Sequence, residues 1–104
     1  MIDIGRLIWD EWNIAHIARH GVTPEEVEQV CHGNYIVRGS YQQRVMLVGP
    51  TATGRMLAVV LDPEDAGTYY PITARPASRK ERRLYGVEQG ERQHGQAETE
   101  GTDS

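Results

Sequence analysis

At residue 34 the apolar spacing of this chain changes from helical to alternating, and that change sets the fold class. Before it, Asp10 reads as an N-cap for a helix over Glu11–His20, with Ile14, Ile17 and Ala18 forming its apolar face. Gly21 ends that helix, and Thr23, Pro24 and Glu26 form a capping box for the next. Val22 and Val27 occupy its staple positions, Val27, Val30 and Cys31 its buried face, and Gly33 its stop. After residue 34, Tyr35–Arg38, Gln43–Val48, Arg55–Leu61 and Thr68–Arg75 read as strands parted by the turn clusters GSY, GPTATG and DPEDAG. Short turns predict antiparallel neighbours. The run Met56–Leu61 is apolar at every position and predicts a central strand, whereas Pro71 predicts an edge or a bulge. Ile4–Trp9 adds a short first strand, and Ser78 with Glu81 starts a short last helix ending near Gly86. The expected architecture is α+β: a small antiparallel sheet of four to five strands, two N-terminal helices and a short C-terminal helix, the helices packed on one face.

The domain is expected to span residues 1–86. Beyond it, GVEQGERQHGQAETEGTDS holds one bulky aliphatic residue, Val87, so residues 87–104 read as a disordered acidic tail. The net charge of −4 hides a polarity along the chain. Residues 1–37 hold two basic and six acidic residues, 38–86 hold eight and four, and 87–104 hold one and five. The middle block is where a polyanion would bind. The longest apolar run is six residues, Met56–Leu61, against the roughly 20 a membrane helix needs. The N-terminus lacks the pattern of a signal peptide, and the single cysteine, Cys31, excludes an intrachain disulfide and fits a reducing cytoplasm.

Chemistry concentrates in ITARPASRKERRLY, Ile72 to Tyr85. Arg75 closes a strand, and Arg79, Lys80, Arg82 and Arg83 follow in the first turns of a helix, where basic residues oppose the dipole. A phosphate would relieve that cost; a solvated basic face is the bland alternative. Arg55 opens the central strand and would clamp one phosphate with Arg75 if strand pairing sets them side by side. His16 and His20 stand one helical turn apart, but no third ligand at a suitable spacing accompanies them, so neither a metal nor another cofactor is expected. His20 can titrate near neutrality and carry protons.

Three segments in order, WDEW…IARHGVTPEEVEQV, GRMLAVV and ITARPASRKERRLY, resemble the BrnT family of bacterial type II toxins over roughly residues 7–85. Arg19 replaces the usual Lys, Thr73 stands where Ser is common, Pro76 where Lys is common, and Asn13 or His16 falls near the family's Asn. The resemblance implies a RelE-like fold and a cytoplasmic RNA-cleaving toxin that inhibits translation and growth. It also implies a ribbon-helix-helix, BrnA-like antitoxin partner, through which alone the pair would touch DNA. A metal-independent endoribonuclease is the reading carried forward: attack by a ribose 2′-OH, with Arg55, Arg75 and Arg79 stabilising charge, His20 or Tyr85 moving protons, and Lys80, Arg82 and Arg83 holding backbone phosphates. The alternative is a non-catalytic module of the same fold that binds an acidic partner or nucleic acid.

Overall fold

The computed structural model describes residues 2–97. Its elements are β1 (Arg6–Leu7), α1 (Glu11–Ala18), α2 (Pro24–Cys31), β2 (Ile36–Tyr41), β3 (Arg44–Pro50), β4 (Met56–Asp65), β5 (Thr68–Pro76) and α3 (Arg79–Ala97). Both N-terminal helices start at capping boxes: Asp10 with Asn13, and Thr23 with Glu26. Gly21, at φ 71°, makes the left-handed turn between them.

One sheet runs in the order β1-β5-β4-β3-β2. The four longer strands form the expected antiparallel meander, but β1 lies parallel to β5. Turn lengths report only on consecutive strands, and β1 reaches β5 through the whole intervening chain. The β2–β3 turn also differs, falling at Gln42–Gln43 instead of Gly39–Tyr41. Both glutamines have positive φ, a mirror-image turn that Asn and Gly usually signal. At β5 the pairing skips Ile72, so Pro71, which has no N–H to give, sits at a bulge.

The central position of β4 explains why its run is apolar on both sides. Leu57, Val59 and Leu61 point to one face and join Leu47 and Ala74 in a core with Ile17, Val22, Val27, Val30 and Cys31 of the α1–α2 segment. Ala58 points to the other face and packs with Ile36, Val48 and Ala77, under Met56, Leu84 and Tyr85. The helices therefore cover both faces, α1 and α2 on one and α3 on the other, a correction to the single covered face. A strand apolar on both sides exposes hydrophobic area unless both are covered. On the α2 side Gly49 is required by closeness, since a Cβ there would lie 3.0 Å from that of Tyr35.

Two further expectations change. In α1 the residues that face the sheet are Asn13 and Ile17, while Ile14 and Ala18 face out, and the helix ends at Ala18 instead of His20. Asn13 is fully buried yet satisfied: its Nδ2 donates to the carbonyls of Ile8 (3.0 Å) and Pro71 (3.2 Å), and its Oδ1 accepts from Asp10 N (2.9 Å). A polar residue can thus hold a core position that periodicity assigns to an apolar one. The last helix, expected to stop near Gly86, continues to Ala97, so residues 87–97 of the expected disordered tail are helical. Residues 98–104 of that tail lie outside the described residues. Among the described residues, no helix is long and apolar enough to cross a membrane.

Candidate nucleic-acid interface

The start of α3 is built by one carboxylate with two duties. Glu81, 8% exposed, accepts from the backbone N–H of Ser78 at 2.8 Å, and its own N–H donates to Ser78 Oγ at 3.1 Å. The same carboxylate receives both arms of the Arg75 guanidinium, Nη1 to Oε1 and Nη2 to Oε2, each at 2.8 Å. Parallel fork contacts of this kind fix orientation as well as charge. The Arg75 bond foremost, with the Ser78 backbone, holds the Glu81 carboxyl at about 2, against the desolvation that would raise it. Arg75 still leaves 41% of its side chain exposed, so the fixed guanidinium has an open edge.

Beside this pair, Arg79, Lys80 and Arg83 are exposed and have no hydrogen bond or ion pair among the described residues. Arg82 differs: its Nη1 turns back to the Ala77 carbonyl at 2.9 Å and closes the helix entry. Tyr85 packs on the apolar cluster under α3 and donates its hydroxyl to the Asn34 carbonyl at 2.7 Å.

Arg55 does not join Arg75. Arg75 pairs directly with Ala58, which belongs to the α3 face. Arg55 instead extends to the α2 side, where Nη1 donates to the Gly21 carbonyl (2.9 Å) and to both Glu26 oxygens (3.1 and 3.0 Å). The expected phosphate clamp is thus split by the sheet. A strand alternates its side chains, and a one-residue offset decides the face. Glu26 is held below the usual carboxylate range chiefly by the Thr23 backbone N–H, with Arg55 adding to it.

His20 follows α1 on the Arg55 side, exposed, with its ring edge-on to His16 at 6.0 Å. It is not brought to Arg75, which lies on the α3 face of the sheet; its neighbour Gly21 instead accepts from the Arg55 side chain at 2.9 Å. Among the described residues no group of three or more His, Cys, Asp or Glu is placed to hold a metal ion. Cys31 is buried, its thiol pushed up to about 12 by desolvation and then by Glu28.

Sequence reading recognised Glu26 and Glu81 as caps but missed that each also anchors a strand-end arginine. The signal was present, since GR opens β4 and AR closes β5, but the pairings cross 29 and 6 residues.

A bulged five-stranded sheet with a cationic helix start on one face defines a small α+β protein with a surface suited to phosphates. The chain belongs to the BrnT family, whose model, described as the ribonuclease toxin BrnT of a type II toxin-antitoxin system, matches residues 9–81. The crystal structure of the Brucella abortus ribonuclease toxin BrnT is similar, with a TM-score of 0.58 and 26% identity. That match covers 71% of this chain and 97% of that one. No curated protein matches the chain significantly.

Proposed function

We propose that this chain is itself an endoribonuclease toxin that binds the RNA backbone at the start of α3 and cleaves it without a metal. The observation that carries this reading is the Arg75–Glu81 pair, fixed and half open, beside three cations with no partner among the described residues. In the proposed reaction the 2′-oxygen bonds to the adjacent phosphorus as the P–O5′ bond breaks, which leaves a 2′,3′-cyclic phosphate and a 5′-OH. The 2′-OH proton goes to a base and a proton is returned to the 5′-oxygen, so no outside reagent is consumed. Arg75 and Arg79 stabilise the phosphorane-like charge, the largest contribution in such reactions. Lys80 and Arg83 hold neighbouring phosphates. Arg82 and Tyr85 position α3, and His20 is the proposed proton carrier, which requires the bound RNA to pass around the sheet end to the Arg55 side. Arg55 has a positioning role through Glu26.

The proposed setting is the cytoplasm, where cleavage stops translation and growth. The proposed partner is a ribbon-helix-helix antitoxin that covers the cationic face and contacts DNA on the pair's behalf.

The test is cleavage of a labelled RNA by purified protein in excess chelator, beside a growth assay. Wild type should cleave and arrest growth, while Arg79→Glu/Arg83→Glu, a surface change that spares the fold, should do neither. Loss of cleavage in chelator with recovery on adding zinc or magnesium would overturn the metal-free mechanism. Both strand-end arginines are tied to carboxylates, which favours the second reading, a binding module without cleavage. RNA bound but left intact by the wild type would select it.

A further inference from the structure

Helix α1 is turned partly inside out. Of its eight residues, EWNIAHIA, a polar Asn13 and Ile17 are buried, whereas Trp12 is 57% exposed, Ile14 is 40% exposed, and Ala15 and Ala18 also face solvent. Trp12 is not loose: its indole stacks on the His16 ring at 4.9 Å and 7°, so it is presented in one orientation. Burying a rigid aromatic of this kind costs little further entropy.

The charges around this crest select an occupant. Glu11 lies at the N-terminal end, Arg19 follows the C-terminal end, both are exposed, and neither has an ion pair among the described residues. Ala15 lies midway, four residues from each, on the same side of the helix at the i, i+4 spacing. At 1.5 Å per residue each charge stands about 6 Å from Ala15 along the axis. A second α1 crossing antiparallel at Ala15 therefore brings Glu11 opposite the mate's Arg19 twice. It also brings Trp12 to the side of the seam that the mate's Arg19 occupies, while Ile14 and His16 fall on the flanks. A parallel crossing would oppose like charges. The small Ala15 and Ala18 leave room for the approach, and antiparallel helix dipoles favour it.

We infer that the α1 crest is a self-association surface through which two copies of this chain pair about a two-fold axis, with reciprocal Glu11–Arg19 contacts and Trp12 as the anchor. The arrangement is self-complementary, as an interface between identical subunits must be. It does not depend on the proposed catalytic reading. It leaves the start of α3 on the opposite face of the sheet uncovered in both copies. One eight-residue helix buries less than the ~800 Å² per partner of a standard interface, so the dimer is weak, with a Kd on the order of 10 µM to 1 mM.

The test is sedimentation velocity of the full chain from micromolar to near-millimolar concentration at low salt. Wild type should shift from monomer to dimer across that range. Glu11→Arg alone and Arg19→Glu alone should each weaken association by roughly tenfold, since each replaces two attractions with two repulsions. The double swap Glu11→Arg/Arg19→Glu should restore it, and Trp12→Ala should abolish it while circular dichroism stays unchanged. Rescue by the swap is the outcome that a general loss of folding or solubility cannot produce. A wild type that stays monomeric throughout, or a swap that fails to rescue, would overturn the inference. Protection of Trp12 from quencher only when the antitoxin is added, with the free chain monomeric, would assign the crest to that partner instead and equally overturn it.

Discussion

The two faces of the sheet carry the same device with different consequences. On each, a capping-box glutamate at a helix start also holds an arginine from a strand end: Thr23, Glu26 and Arg55 at α2, and Ser78, Glu81 and Arg75 at α3. At α2 a single nitrogen of Arg55 serves both carboxylate oxygens, and the surroundings include the acidic Glu25 and Glu28. At α3 both arms of Arg75 engage, the carboxylate is more deeply buried, and Arg79 and Lys80 stand next to it. The device is a structural tie in both places. What makes one of them a candidate phosphate site is its neighbours.

The largest expected effect separates the two ties. Glu81→Gln removes one arm of a fork and weakens a helix cap, and should destabilise the domain by about 2–3 kcal/mol. Glu26→Gln, more exposed, should cost about 1 kcal/mol or less. Urea unfolding of both variants decides it, and equal losses would break the distinction between the faces.

Acid should reveal the same asymmetry. Glu81 titrates near 2 in the folded protein, below its ordinary value of 4.5. Its contribution is therefore complete above pH 4.5 and lost as the pH falls towards 2. It is on the order of 2 kcal/mol once the exposure of Arg75 is allowed for. Glu81→Gln should flatten stability against pH across this window more than Glu26→Gln does, as thermal melts from pH 6 to pH 2 would show.

Smaller in stability but sharper in function is the pair Arg79→Glu/Arg83→Glu. Unfolding free energy should move by no more than about 0.5 kcal/mol, while RNA affinity and its salt dependence fall together. Filter binding across a salt series measures both, and an unchanged salt slope would remove α3 from the interface. The least change is expected at Cys31: at pH 8 its buried thiol should react with a disulfide reagent only as fast as the domain opens. Prompt labelling would show that the α2 face is looser than its packing indicates.

Much of this was legible along the chain because the responsible interactions are local. Reciprocal bonds at Thr23–Glu26 and Ser78–Glu81 span three residues, and the bulge at Pro71 follows from its missing N–H. The cationic run at Arg79–Arg83 is likewise a property of sequence, as is the apolar run that made β4 a central strand, but the cover of both sides of the sheet emerged only with the position of α3. Other features depended on where distant segments meet. That Arg55 and Arg75 fall on opposite faces is set by the β4–β5 register, and that Asn13 turns inward depends on the Pro71 carbonyl, 58 residues away. The exposure of Trp12 is the counterpart of that inward turn. Sequence determined which groups exist and how each short element begins and ends, because capping and alternation are short-range. Tertiary structure alone decided which of those groups share a face, because one residue of register moves a side chain through the whole thickness of a sheet.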